Sequence, residues 1–259
     1  MSLAPIEILF SLPHFALVLL RMGGLMLTAP LLASGAIPVR IRVGFTVALS
    51  LMMLPLVGPF MPRELSLPML VGAGVSEMLI GATIGMSLTL ILMSADLAGS
   101  LVGQQGGLAL GAIFDPMLNR NTTVTGQLYT VVFTFIYLSI GGHRATLAAL
   151  LDTYQAVPPL TYSYNDSTLF LLVDMLTAAF VLAIRVSGPV LIALFLVGTA
   201  MGFLSRTMPQ FNVLSVGFTI RAMLAIGTAG IALTACGEIL SEAIWRAVVM
   251  TRLGFGLQP

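Results

Sequence analysis

Long apolar runs with few charged side chains recur along the whole sequence. They predict helices at Ile8–Leu32, Val43–Met61, Leu67–Met93, Thr125–Ile140, Thr168–Phe203 and Val213–Val249. Charged residues make up only 8% of the 259 residues and hydrophobic residues 58%, whereas a soluble domain carries about 25% charged residues. A helix crosses the hydrocarbon core with about 20 apolar residues. The sequence therefore predicts an all-α, integral membrane protein with several spans.

The last two predicted helices are longer than one simple span. Each must tilt and bend, or contain a break. Prolines lie in or beside the apolar runs at Pro30, Pro38, Pro55, Pro59, Pro68, Pro189 and Pro209. Neighbouring helices can satisfy the backbone groups that a proline frees in a membrane, so we expect long, kinked helices.

The segment Gly99–Thr123 is rich in glycine and amide side chains. Its glycines recur at every fourth position, at Gly99, Gly103, Gly107 and Gly111. On a helix this spacing forms a stripe that allows close backbone approach, but the extra Gly106 also favours a mobile loop. Asp115-Pro116 is typical of a helix start. Irregular backbone in a membrane protein lies against protein or a water-filled cavity, so we expect this segment at a passage.

The segment Gly141–Ser167 is the most polar and aromatic part of the chain. Pro158-Pro159 is followed closely by Tyr162 and Tyr164. Prolines favour a loop, and tyrosines favour the membrane–water interface. We therefore predict an interfacial loop here.

The arginines do not set a topology. Alternating the predicted loops between two sides gives nearly equal numbers of arginines on each side. Conventional threading through a bilayer is therefore not expected.

No catalytic or cofactor-binding constellation is present in the sequence. His14 and His143 lie far apart, the chain has no lysine, and Cys236 is its only cysteine. These residues offer no metal-ligand spacing, no phosphate-binding lysine loop and no disulfide. The net charge of +1 does not suggest nucleic acid as a partner. We expect a protein that is not an enzyme and needs no cofactor.

Charged residues interrupt the apolar runs at Arg21, Glu77, Asp96, Asp174, Arg185, Arg221 and Glu238. Each costs about 2.5–3.5 kcal/mol at the centre of a membrane helix. One interpretation is a proton or ion relay in a stand-alone secondary transporter or channel that uses Glu77, Asp174 and Arg185. The other is pairing between helices or between subunits. We favour pairing, because the acidic residues do not share one helix face.

Five stretches together resemble the FliR family of flagellar export gates and their injectisome counterparts. The stretches are Arg21–Pro55, with its R…AP…VP.R.R.G…P pattern, Ser76–Gly85, with E…G…G, Ala98–Pro116, with AG…Q.G…DP, Gly141–Pro158, beginning GGH, and Arg185–Leu224, with R.S.P…G…R..PQ.NV. Their order and spacing cover nearly the whole chain. Thr219 stands where the family often has proline, Arg221 where it often has lysine, and Arg144 where a second histidine is common.

The resemblance implies one FliR-type membrane domain over residues 1–259, built from long, kinked helical hairpins. It also implies assembly with FliP-like and FliQ-like subunits into a helical ring, largely out of the bilayer plane, with FlhB-like and FlhA-like export components as further partners. The expected location is the bacterial inner membrane at the flagellar basal body. The chain would be a structural and gating subunit of the channel through which unfolded flagellar proteins pass.

Two groups of site residues follow. The plug of the channel is expected at Gly106, Gly107, Leu108, Leu110, Ile113, Phe114, Asp115, Pro116 and Met117, where the glycines are pliable and the apolar side chains can exclude water. Structural or assembly roles are expected for Arg21, Glu77, Arg185, Arg206, Pro209 and Gln210. Arg206 with Pro209-Gln210 would form a corner between the last two helices.

Overall fold

The computed structural model describes residues 12–30, 37–60, 67–108, 123–161, 166–208 and 213–256. Within these ranges there is no strand. The helices there are α1 (Leu12–Thr28), α2 (Val39–Val57) with a 3-10 turn at Gly58–Phe60, α3 (Leu67–Gln105), α4 (Val124–Ser139), α5 (Gly142–Ala156), α6 (Asp166–Thr207) and α7 (Val213–Gly254). The predicted all-α membrane fold is therefore confirmed, and each of the six predicted apolar runs forms a helix.

The helix α3 continues well beyond the predicted end at Met93. It includes Gly99 and Gly103 and ends at Gln105. The helix persists because both glycines lie against α4: a Cβ on Gly99 would be 2.6 Å from the Gly126 Cα. For this part of the segment, the packed glycine stripe describes the structure and the mobile loop does not.

The prediction of a loop over Gly141–Ser167 is wrong for its first half. Gly142–Ala156 forms α5, preceded by Gly141 in the left-handed region at φ +76°. That conformation disfavours a side chain and allows the chain to turn between two helices. The helix forms because Leu150 and Tyr154 are buried in the hydrophobic core. The stabilisation from this burial is larger than the local preference of the polar sequence for a loop.

The helices α6 and α7 have 42 residues each. At 1.5 Å per residue each is about 63 Å long, about twice the thickness of the hydrocarbon core. Pro189 lies inside α6 without dividing it. These long segments were expected either to tilt and bend or to contain a break. No break is observed within α6 or α7.

The chain forms two compact units that share the three long helices. The first contains residues 1–90, 141–176 and 244–259, and the second contains residues 91–140 and 177–243. The hydrophobic core of the first unit is formed by Val18, Met22, Leu25, Met26, Ala29, Met53, Leu54, Val57, Ile80, Ile84, Leu150, Tyr154, Val157 and Phe255.

In the first unit, α1 and α3 touch through their backbones. A Cβ on Gly24 would collide with the Met78 carbonyl oxygen, and a Cβ on Gly81 with that of Arg21. The Thr28 hydroxyl donates to the Ala82 carbonyl oxygen at 3.0 Å. Small residues permit this close approach. In a membrane the hydrophobic effect does not drive helices together, so van der Waals packing and hydrogen bonds of this kind hold them in contact.

Four helices are long and apolar enough to cross a membrane, or up to five if α4 and α5 form one span. The span windows are Val39–Val57, Val71–Gln105, Thr168–Thr207 and Ser215–Ala232. Only 22% of the first window and 17% of the last are buried within the chain. Their apolar faces therefore need lipid or other protein to cover them.

Candidate functional site

A fully buried arginine links three helices of the first unit. Arg21 on α1 donates from Nε to Oε2 of Glu77 on α3 at 2.5 Å, and both side chains are 0% exposed. Its Nη1 donates to Thr153 Oγ1 at 3.2 Å and its Nη2 to the Val157 carbonyl oxygen at 3.1 Å. The guanidinium carbon lies 3.9 Å from the Tyr154 ring centroid. We call these five residues the Arg21 cluster.

The sequence builds the Arg21 cluster by helical spacing. Glu77 and Gly81 are four residues apart, so they lie on one face of α3, and Gly81 admits the α1 backbone at Arg21. The planar guanidinium has donors enough to bind a carboxylate, a hydroxyl and a carbonyl together. The pairing neutralises two charges that would each be costly alone in the interior.

Two polar atoms of the Arg21 cluster are left without a partner. Glu77 Oε1 and the Tyr154 hydroxyl are buried and form no hydrogen bond within the described part of the chain. Removal of either charge would add a further unpaired group to this environment. The geometry therefore joins α1, α3 and α5 and serves their assembly.

The residues of the transporter interpretation do not form a relay. Glu77 pairs with Arg21, while Asp174 and Arg185 are exposed on α6. Among the described residues, no hydrogen bond or ion pair connects Asp174 or Arg185 to Glu77. The favoured alternative, pairing between helices, holds for Arg21 and Glu77.

A second polar group lies where α3 meets α4 in the second unit. Asp96 Oδ1 is 2.5 Å from the place that a Gly126 Cβ would occupy, and Ser100 Oγ and Thr123 Oγ1 are each 3.1 Å from it. Thr123 caps α4 by accepting a hydrogen bond from the Gly126 N–H at 3.0 Å. Asp96 Oδ1 is buried at this contact and forms no hydrogen bond with any described residue.

The described start of the expected plug lies against α7 in the second unit. Gly106 donates to the Val102 carbonyl oxygen at 2.8 Å, and a Cβ on it would be 2.7 Å from the Ala225 Cβ. Gly107 has φ +77° and would meet the Phe218 ring at 2.8 Å if it carried a Cβ. The chain therefore leaves α3 through a tight turn next to α7. Leu110, Ile113, Phe114, Asp115, Pro116 and Met117 lie outside the described residues.

The structure describes only one residue of the expected corner. Arg206 is exposed in the last turn of α6, where its charge complements the helix dipole. Pro209 and Gln210 lie outside the described residues, so the corner remains a prediction.

The sequence reasoning missed the α5 side of the Arg21 cluster. The predicted interfacial loop includes Thr153 and Tyr154, although buried residues follow the spacing of a helix face at Thr146, Ala149, Leu150, Thr153 and Tyr154. It also missed the ion pair between Arg252 Nη2 and Asp152 Oδ2 at 3.2 Å. The helical period was the signal that could have placed Thr153 and Tyr154 on a helix, whereas the contact of Arg252 with Asp152 depends on how two distant helices pack.

The fold and these buried contacts define a helical membrane protein whose helices are joined by glycine contacts and by the buried pair of Arg21 and Glu77. The family of bacterial export proteins, family 1, matches residues 12–247. The chain belongs to this family.

Relatives with similar sequences are named for flagellar biosynthesis and for secretion. The flagellar biosynthetic protein FliR of Pectobacterium carotovorum is 29% identical over 217 residues, which are 82% of this chain and 81% of the relative. The protein of the same name in Bacillus subtilis is 27% identical over 92% of each chain. The secretion system apparatus protein SsaT of Salmonella typhimurium is 27% identical over 82% of this chain and 84% of the relative.

Proposed function

We propose that this protein is a structural and gating subunit of the flagellar type III protein export gate. The family match over residues 12–247 carries the proposal, and the similarity to FliR proteins over most of both chains points to the flagellar system. A buried ion pair and backbone contacts between helices suit a rigid channel component. No chemical step is assigned to the chain, because the two fully buried charges of the Arg21 cluster, Arg21 and Glu77, bind each other.

The proposed partners are FliP-like and FliQ-like subunits, with FlhB-like and FlhA-like components beside them, in the bacterial inner membrane at the flagellar basal body. The exposed apolar faces of α2, α6 and α7 support this proposal. Phe195 and Phe203 on α6 are 69% and 74% exposed, and Met52 on α2 is 73% exposed. Apolar faces of this extent mark contact with lipid or with other subunits.

Within this function, the segment from Gly106 to Thr123 is the proposed plug of the channel. The observation that supports it is the turn at Gly106-Gly107, held against Ala225 and Phe218 on α7. This turn anchors one end of the segment to a rigid helix. A hydrophobic constriction closes a pore by excluding water, and the apolar side chains expected here fit that role.

A complementation experiment tests the proposed function. The gene is deleted in its own host, and motility and the amount of flagellar protein secreted to the medium are measured. Deletion should abolish both, and the wild-type chain supplied from a plasmid should restore them. A control plasmid carries the chain with Gly24→Ala, which should disrupt the contact of α1 with α3. Normal motility and secretion in the deletion strain would refute the proposal.

A further inference from the structure

A small pocket in the second unit contains a guanidinium group that forms no hydrogen bond or ion pair with the described residues. Its volume is about 240 Å³, below the range of about 300–1,000 Å³ that is typical of small-molecule sites. It is lined by Gln105, Leu194, Phe195, Gly198, Thr199 and Arg221. A pocket of this size suits a single side chain.

The guanidinium of Arg221 is directed sideways, across α6. If Gly198 carried a Cβ, that atom would be 2.8 Å from Arg221 Nη2 and 3.6 Å from Arg221 Cζ. An arginine that seeks water or lipid phosphate extends along its helix towards the membrane surface. Arg221 instead lies against another helix, so its donors line the pocket.

The pocket offers hydrogen-bond donors and lacks a negative charge. Arg221 makes no ion pair or hydrogen bond with any residue that the structure describes, and it lies within the apolar window Ser215–Ala232. The Gln105 amide at the pocket wall offers an uncharged donor and an uncharged acceptor. The Thr199 hydroxyl donates to the Leu196 carbonyl oxygen at 2.8 Å, so its proton is already used. An unpaired guanidinium in an apolar span is costly, and these donors match a carboxylate.

We propose that this pocket receives a carboxylate side chain of an adjoining subunit when the export gate assembles, an inference that rests on the proposed function. Arginine forms paired, parallel hydrogen bonds with a carboxylate. Phe195, which lines the pocket, is 69% exposed, and Ile192 and Leu196, one turn or less away on α6, are 64% and 60% exposed. A protein partner that covers these apolar side chains excludes water, which strengthens the ion pair.

Photocrosslinking in the native membrane complex identifies the occupant. A benzophenone amino acid replaces Phe195 in the pocket lining, and the crosslinked peptides are sequenced by mass spectrometry. The expected product is a peptide of another subunit with an Asp or Glu near the crosslink. Crosslinks only to lipid, only to this chain, or to a peptide without an acidic residue would overturn the proposal.

Variants that change the charge at the pocket provide a second test of the proposal. Arg221→Gln should lower the recovery of co-purified partner subunits at least about tenfold, while Arg144→Gln, an exposed arginine on α5, should leave it unchanged. Arg221→Glu combined with Arg in place of the crosslinked acid should restore recovery. Unchanged recovery for Arg221→Gln would overturn the proposal.

The two proposals fail in distinguishable ways. If the wild-type chain neither restores motility nor co-purifies with export subunits, the proposed function is wrong. If the wild type does both and Arg221→Gln behaves like it, only the pocket assignment is wrong. Gly198→Ala keeps the charge and requires only a shift of the flexible end of Arg221, so its recovery should fall less than that of Arg221→Gln; a larger loss than for Arg221→Gln would contradict the pocket.

Discussion

Arg21 and Glu77 form a fully buried ion pair, 2.5 Å from Nε to Oε2, between residues 56 positions apart in the sequence. The pair lies where the α1 and α3 backbones touch, because Gly81 leaves room for the Arg21 carbonyl oxygen. Charge pairing and backbone contact therefore support each other. A substitution that disrupts the ion pair should therefore also weaken the backbone contact, and the reverse should hold.

Removal of one charge of this pair should destabilise the protein much more than removal of both. Arg21→Gln or Glu77→Gln alone should destabilise the protein by about 3–5 kcal/mol, because each leaves an uncompensated buried charge. Arg21→Met with Glu77→Leu should recover most of the loss. The measurement is thermal stability of the purified complex, with Arg40→Gln on the exposed start of α2 as control. Additive single and double effects would contradict the prediction.

Two adjacent glycines of α1 should respond in opposite ways to alanine. Gly24→Ala should disrupt the contact with α3, because the new Cβ would collide with the Met78 carbonyl oxygen and lie 2.9 Å from the Ala82 nitrogen. Gly23 has no neighbouring atom within 4 Å of such a Cβ, so Gly23→Ala should be neutral or stabilise α1 by up to about 1 kcal/mol. Protein yield and thermal stability in detergent compare the two. Equal behaviour would refute the contact.

The chain should be unstable without partner subunits. Its apolar faces, such as the α7 window with only 17% buried, need a cover that detergent replaces poorly. Expression alone should give aggregated or proteolysed protein, and co-expression with FliP-like and FliQ-like subunits should give a soluble complex in mild detergent. Size-exclusion chromatography checks both. A monodisperse, long-lived monomer would be the contrary result.

Reversal of the charge at the end of α6 should prevent assembly. Arg206→Glu places a negative charge in the last turn of α6, where the helix dipole is also negative. We expect loss of the complex, judged by co-purification, rather than only slower export. Arg206→Lys keeps the charge and should assemble. If the Glu variant assembles normally while secretion falls, the corner interpretation is wrong.

Deletion of Leu108 to Phe114 distinguishes two roles of this segment, a plug of the channel and an element that only packs. A plug predicts an assembled complex that leaks ions and small molecules and slows growth, since its apolar residues close the pore. A packing element predicts no complex at all. Membrane conductance and co-purification are measured together, with Gly202→Ala, which meets no atom within 4 Å, as control. Wild-type conductance in an assembled deletion variant would rule the plug out.

The sequence by itself determined the helical membrane architecture. Hydropathy is a local property, so the long apolar runs predicted six of the seven α-helices in the described part of the chain, and the motifs from Arg21 to Leu224 indicated the family. The sequence also marked Arg21 and Glu77 as residues of structural importance. It did so because a charge within an apolar run is costly wherever the helix lies.

Only the tertiary structure decided which charges meet and which polar stretch is helical. The pairing of Arg21 with Glu77 depends on the rotation and contact of α1 and α3, which local composition does not encode. The stretch Gly142–Ala156 looked like a loop and folds as α5 because Leu150 and Tyr154 enter the core. Gly99 and Gly103 remain helical because α4 packs against them. In each case a contact between distant residues outweighed the local preference, because burial and close packing stabilise more than propensity costs.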